Sequence, residues 1–245
     1  MRQQNLWLLP DGLEEILPPQ ASSLEQLRRQ LLDTFASWGY ELVIPPKLEF
    51  LDALTAGLGQ NLDLQTFKVT DQLSGRMLGL SADITPQVAR IDAHSLKTNQ
   101  TARYCYCASI AKTQPETQLA SRSPIQIGAE IFGAEGLETD LEVVCLMLDS
   151  LALAGAKNLT LALGHLGIYG NLLRAANLSA SLENQLYECL KYQRLDEFNQ
   201  LLNQQPVSPA IKQLQALAKL NGGVEALEQA KETLGRAAPA VVAAL

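Results

Sequence analysis

Ile125-Gln-Ile-Gly-Ala-Glu-Ile-Phe132 is the stretch on which the reading of this chain turns. Side chains on a strand point to opposite faces at period two. Ile125, Ile127, Ala129 and Ile131 therefore form one apolar face, and Gln126, Gly128, Glu130 and Phe132 share the other. Gln126 and Glu130 stand roughly 13 Å apart along such a strand. Gly128 between them carries no side chain, so the second face reads as a floor with polar groups at each end and a gap between. A small polar ligand suits that floor; an ordinary solvent-facing strand has the same pattern.

Moving outward, Ala102 to Ala108 reads as a strand, and a polar loop from Thr113 to Pro124 joins it to the first segment. Upstream, Leu24, Leu27, Leu31, Phe35 and Trp38 recur at helical spacing, with Ser23 and Gln26 as a capping box and Gly39 as the stop. A short strand Tyr40–Ile44 ends at Pro45-Pro46. Residues 66–72 and 77–81 read as a hairpin around Ser74-Gly75-Arg76. Thr85-Pro86 opens a helix, with Thr as N-cap and Pro at the first helical position. Thr139 with Glu142 begins another, which stops at Gly155, and Asn158–Leu163 reads as one more strand.

After about Gly164 the pattern becomes Leu/Ala-rich and helical, over roughly 167–176, 180–193, 195–204, 208–219, 223–234 and 239–245. Strands followed by helices point to an α+β chain rather than a doubly wound sheet. The expected division is residues 1–165 and a helical subdomain over 166–245. The last seven residues, Pro239 to Leu245, are apolar and uncapped, whereas chain ends are commonly polar, so a truncated form is expected.

The net charge of −7, from 19 Lys+Arg against 26 Asp+Glu, argues against broad nucleic-acid binding, which relies on cations at phosphates. No apolar run is long enough to span a membrane, and Leu-Trp-Leu-Leu before Pro10 is too short for a signal-peptide core, so a cytoplasmic location is expected. The four cysteines show neither CxxC nor zinc spacing, which favours free thiols and no metal or cofactor. No Walker motif, GxSxG elbow or GxGxxG loop occurs. Glu14-Glu15 and Asp92 read as surface or capping groups. Asp83 lies just before the Thr85 helix, where a carboxylate either caps backbone N–H groups or holds a ligand ammonium.

Four segments carry a resemblance. They are Trp7-Leu-Leu-Pro-Asp-Gly-Leu-Glu-Glu-Ile-Leu-Pro-Pro19, Phe67-Lys-Val-Thr-Asp-Gln-Leu-Ser-Gly-Arg76, Ala82-Asp-Ile-Thr-Pro-Gln-Val-Ala-Arg-Ile-Asp-Ala-His94 and Gln126-Ile-Gly-Ala-Glu-Ile-Phe-Gly133. Together they resemble the regulatory subunits of ATP phosphoribosyltransferase, paralogues of histidyl-tRNA synthetase. The helical part resembles that family more loosely, through Gly222-Gly-Val-Glu225.

The resemblance implies the class II synthetase fold, an antiparallel sheet flanked by helices. Trp38–Pro46 is similar to motif 1, which builds the dimer interface, and Arg103–Gly133 to motif 2. Within motif 2, Ala111 stands where the synthetase has the arginine that holds the ATP α-phosphate, with Lys112 beside it and Thr113 and Gln114 at the following charged positions. Losing that guanidinium removes bidentate phosphate recognition, so adenylate chemistry is expected to be absent or crippled. Lys112 could hold phosphate only as a point charge.

The amino-acid pocket is better kept. By resemblance Asp83, Thr85, Gln126 and Glu130 surround histidine, and Ser81 stands where the family has arginine. The implied role is a non-catalytic subunit of the first step of histidine biosynthesis. It activates a short-form ATP phosphoribosyltransferase catalytic subunit and carries feedback inhibition by L-histidine, as a homodimer within a hetero-oligomer, without tRNA. An active histidine-activating enzyme and a free-standing histidine-binding protein are the alternatives. Motif 3 is expected beyond residue 245.

Overall fold

The computed structural model describes residues 7–55, 60–115, 117 and 120–235. The chain divides into two compact units, Met1–Leu159 and Thr160–Leu245.

In the first unit, helix α1 spans Gln20–Ser37. It starts three residues before the expected capping box. Pro19 occupies the cap position, and Ser23 lies inside the helix. Gly39, at φ +83°, ends it as the sequence suggests, because only a residue without Cβ adopts that backbone freely. Strand β1 is Glu41–Leu42, shorter than expected, and β2, which the sequence reading missed, is Leu48–Phe50. Helices α2 (Leu51–Thr55) and α3 (Gln60–Gln65) follow, then β3 (Lys68–Thr70) and β4 (Met77–Leu80). Helix α4 is Thr85–Arg90 and runs into a π-helical turn at Ile91–Leu96. Strands β5 (Ala102–Ser109) and β6 (Ile125–Phe132) and helix α5 (Leu137–Leu153) complete the unit.

Among the described residues two three-stranded sheets form, β1-β5-β6 and β2-β4-β3. β1 runs parallel to β5, and β5 pairs antiparallel with β6 through eight positions, from Ala102↔Phe132 to Ser109↔Ile125. The apolar side chains of β6 face α1 and α5. There Ile127, Ala129 and Ile131 pack on a core of Phe35, Tyr40, Cys105 and Leu146. The other sheet face packs Ala102, Tyr104 and Tyr106 against Ile84 and Val88 of the α4 region. The alternation read from Ile125–Phe132 is thus the alternation the sheet uses.

β3 and β4 form the expected hairpin; Asp71 closes its loop by accepting from the backbone N–H groups of Leu73 and Ser74. α5 starts at Leu137, not Thr139, with Gly136 at the cap position. Glu142 does not reach back to the helix end. It takes both guanidinium arms of Arg103, at 2.7 and 2.8 Å, and the hydroxyl of Tyr40 at 3.1 Å. A carboxylate gains more from a charged fork than from a neutral backbone donor. The expected strand at 158–163 does not form: residues 156–165 are irregular, and none pairs in a ladder among the described residues.

The second unit contains α6 (Leu166–Ala176), α7 (Ala180–Lys191), α8 (Leu195–Asn203), α9 (Pro209–Leu217) and α10 (Val224–Leu234). Ser179 and Ser208 cap α7 and α9 by accepting from Leu182 and Ile211 N–H. The helices close on Leu172, Leu186, Phe198, Leu202, Leu214 and Leu234, all without solvent exposure. The helical pattern at 239–245 lies outside the described residues.

Candidate functional site

The site lies on the face of β5 and β6 that α4 covers. Gln126 and Glu130 project from β6, and Asp83 and Thr85 come from the entry to α4. The structure brings all four together. Gln126 Nε2 donates to Asp83 Oδ1 at 2.9 Å, and its Oε1 accepts from Ile84 N–H at 3.1 Å. Asp83 Oδ1 also accepts from Thr85 N–H at 3.1 Å. Both readings of Asp83 are therefore compatible: one oxygen closes a backbone turn, and Oδ2 makes no bond to a described residue.

Thr85 does not cap α4. Ile84 holds the cap position, so Thr85 is the first helical residue, and its hydroxyl donates across to Glu130 Oε1 at 2.8 Å. Glu130 Oε2, like Asp83 Oδ2, has no bond among the described residues. The two carboxylates each bond to the scaffold through one oxygen.

The gap over Gly128 is not open. Tyr106 sits opposite Gly128 in the β5–β6 register, and its phenol crosses the bare position. Its hydroxyl lies 3.3 Å from Glu130 Oε1, 3.3 Å from Thr85 Oγ1 and 3.4 Å from Gln126 Nε2. Burial, ahead of the neighbouring carboxylates, pushes the Tyr106 hydroxyl up to about 12, so it stays a neutral donor. The sequence reading missed Tyr106. Its signal was the pairing of the strand Ala102–Ala108 with Ile125–Phe132, which sets a large side chain against a glycine.

A cavity of about 580 Å³ opens beside the cluster. Asp83 and Gln126 line it at one end, and Gln65, Lys112 and Ser121 also line it. Its size is that of a small-ligand pocket. Lys112 thus lines the same cavity as Asp83, and its backbone N–H donates to Arg122 O at 2.8 Å. Ala111 leaves no guanidinium at its position; its N–H donates to Ser81 O at 2.8 Å.

A buried polar chain fixes the α4 entry. The Ser81 hydroxyl donates to Gln87 Oε1 at 2.6 Å; Gln87 Nε2 donates to Pro46 O at 2.8 Å and to Glu49 Oε1 at 3.0 Å. Arg90 grips both Glu49 oxygens, at 2.6 and 2.8 Å. Ser81 does not line the cavity, and its hydroxyl is tied to the helix that carries Thr85. No group of three or more potential metal-binding side chains occurs among the described residues.

The family model for histidyl-tRNA synthetase matches residues 12–245. The chain belongs to the histidyl-tRNA synthetase family. It is 54% identical over 240 residues to a protein of Chromohalobacter salexigens named ATP phosphoribosyltransferase regulatory subunit, covering 98% of this chain and 61% of that one. The chain thus spans about three fifths of the length of the curated relatives it matches. The crystal structure of an ATP phosphoribosyltransferase regulatory subunit/histidyl-tRNA synthetase from Bacillus halodurans superposes with a TM-score of 0.85 at 26% identity, over 99% of this chain and 63% of that one. Histidyl-tRNA synthetase from Nostoc superposes with a TM-score of 0.73 at 15% identity, over 97% of this chain and 55% of that one. This histidyl-tRNA synthetase family member therefore has the class II synthetase fold. No described helix is long and apolar enough to cross a membrane.

Proposed function

We propose that this chain is part of a regulatory subunit of ATP phosphoribosyltransferase. It activates a short-form catalytic subunit in the cytoplasm and lowers that activity when L-histidine occupies the site of Asp83, Thr85, Gln126 and Glu130. The observation that carries the reading is the hydrogen-bonded cluster of the four side chains that the resemblance gives to histidine, with Ala111 where it gives a phosphate-holding arginine. Two carboxylates each keep one oxygen for an N–H donor, as an ammonium and an imidazole require, while Ala111 offers no fork for an α-phosphate. The names of relatives half identical to the chain support the same role. Feedback then requires that histidine bind two states of the complex unequally.

A homodimer within the hetero-oligomer belongs to this reading. Leu42 and Ile44, in the segment similar to motif 1, are 50% and 81% exposed, as a surface awaiting a partner would be.

The test is co-expression of the complete gene product with a short-form catalytic subunit. A stable complex, activity above that of the catalytic subunit alone and loss of that activity with histidine are expected. No complex and no activation would overturn the proposal and leave a free-standing histidine-binding protein. Histidine-dependent exchange of pyrophosphate into ATP would instead reveal an active synthetase-like enzyme.

A further inference from the structure

The geometry points to Tyr106 as the specificity-determining residue of this site, an inference that rests on the reading that the site takes histidine. Tyr106 has one proton to give and three polar neighbours. Gln126 Nε2 can only donate, so the phenol oxygen accepts there, at 3.4 Å. The Tyr106 proton points to Glu130 Oε1 and to Thr85 Oγ1, each at 3.3 Å, and by either route the chain ends on Glu130. Thr85 donates to the same oxygen at 2.8 Å. The chain of donors runs from Gln126 through Tyr106 to Glu130, with Thr85 joining at the end.

A carboxylate is an acceptor only, and the Thr85 hydroxyl already donates to Oε1. What Glu130 offers to a ligand is Oε2, and that oxygen accepts an N–H or O–H and repels a lone pair. A ligand ring that donates from nitrogen is accepted; the same ring with that nitrogen methylated is rejected. A site built to receive one donor rejects an analogue lacking it strongly, because the acceptor is left unpaired.

Tyr106 also links the two halves of the cluster. Asp83 and Gln126 line the cavity, whereas Thr85 and Glu130 are not among its walls. The Tyr106 hydroxyl touches both sets. Gly128 makes this possible: a Cβ there would lie 2.5 Å from the Tyr106 hydroxyl oxygen and 2.6 Å from Cζ, so any side chain at 128 would displace the phenol.

The experiment titrates L-histidine and its two ring-N-methylated isomers into the complete gene product by calorimetry, with wild type, Tyr106→Phe and Gly128→Ala, and thermal unfolding recorded for each. In the wild type, one methylated isomer is expected to bind far more weakly than histidine. Tyr106→Phe is expected to weaken histidine about tenfold, the worth of a hydrogen bond to a charged group. It is expected to leave the rejected isomer unchanged, so that discrimination narrows by the same factor. Gly128→Ala moves the hydroxyl rather than deleting it and carries the same expectation should Tyr106→Phe fail to fold. Unchanged histidine affinity in the variants would overturn the inference. So would an equal loss for all three ligands, since that is general loosening without a role in selection. A wild type that binds no histidine would instead defeat the reading of the pocket itself.

Discussion

Tyr106 and Gly128 face each other across the β5–β6 ladder, and the phenol of the first occupies the space that a side chain on the second would need. The pair turns two strands into a site floor. It also makes the floor intolerant of substitution. Gly128→Ala is expected to destabilise the first unit by about 1–3 kcal/mol, the usual range for forcing one extra methyl into a packed interior. Denaturant unfolding reads it directly; an unchanged midpoint would show that the phenol has room to yield.

Asp83→Asn keeps an oxygen for the N–H groups of Thr85 and Gln126 but removes the charge. If Asp83 Oδ2 receives the ligand ammonium, histidine affinity is expected to fall by about tenfold or more, since charge-assisted hydrogen bonds are roughly twice as strong as neutral ones. The thermal midpoint should hardly move. Calorimetric titration decides it, and wild-type affinity in the variant would leave Asp83 as a turn-closing residue alone.

Glu130→Ala removes the acceptor that Thr85 and Tyr106 both address. Histidine inhibition of the assembled complex is expected to weaken, with assembly intact. Size-exclusion chromatography and inhibition assays on the same preparation separate the two effects. Full inhibition in the variant would mean that histidine binds elsewhere.

The Arg103 guanidinium, foremost through its hydrogen bonds, holds the Glu142 carboxyl below the ordinary value of 4.5. A depressed folded-state pKa adds stability that is present above the unfolded value and disappears as pH falls through the folded one. Stability is therefore expected to drop as pH is lowered below 4.5, and Glu142→Gln should flatten that part of the curve while lowering stability near neutrality by about 1–3 kcal/mol. Urea midpoints across the acid range, wild type against variant, test it; parallel curves would count against the pair.

Phe198 and Leu202 stand one turn apart on α8 and are wholly buried in the helical unit. Phe198→Ala is expected to cost about 3–5 kcal/mol. Circular dichroism melts should show lost helix at a lower temperature, and a variant melting like the wild type would place the weight of that core elsewhere.

How legible all this was from the chain depends on range. The faces of Ile125–Phe132, the helix stops at Gly39 and Gly155 and the hairpin at Gly75 are local facts. Each follows from a side-chain period or from a glycine at positive φ, here +83°, +77° and +70°. The expected caps failed for the opposite reason. Ser23, Thr85 and Glu142 carry the right chemistry at the right spacing, but the hydroxyl of Thr85 and the carboxylate of Glu142 found stronger partners far away in sequence, Glu130 and Arg103. The strand expected at 158–163 failed because alternation proposes a strand and only a neighbouring ladder makes one.

The sequence by itself determined which residues are strand and which helix over most of the chain, where the polar face of β6 lies, and that Asp83, Thr85, Gln126 and Glu130 are the residues to watch. Those are consequences of backbone periodicity and of motif resemblance, and both are written along the chain. Only the tertiary structure decided that the gap over Gly128 is filled, that Tyr106 joins the cluster, and that Asp83 and Glu130 each bond to the described residues through one oxygen. Those outcomes depend on the register of β5 against β6 and on contacts between residues 20 to 45 positions apart, and no local pattern carries that register.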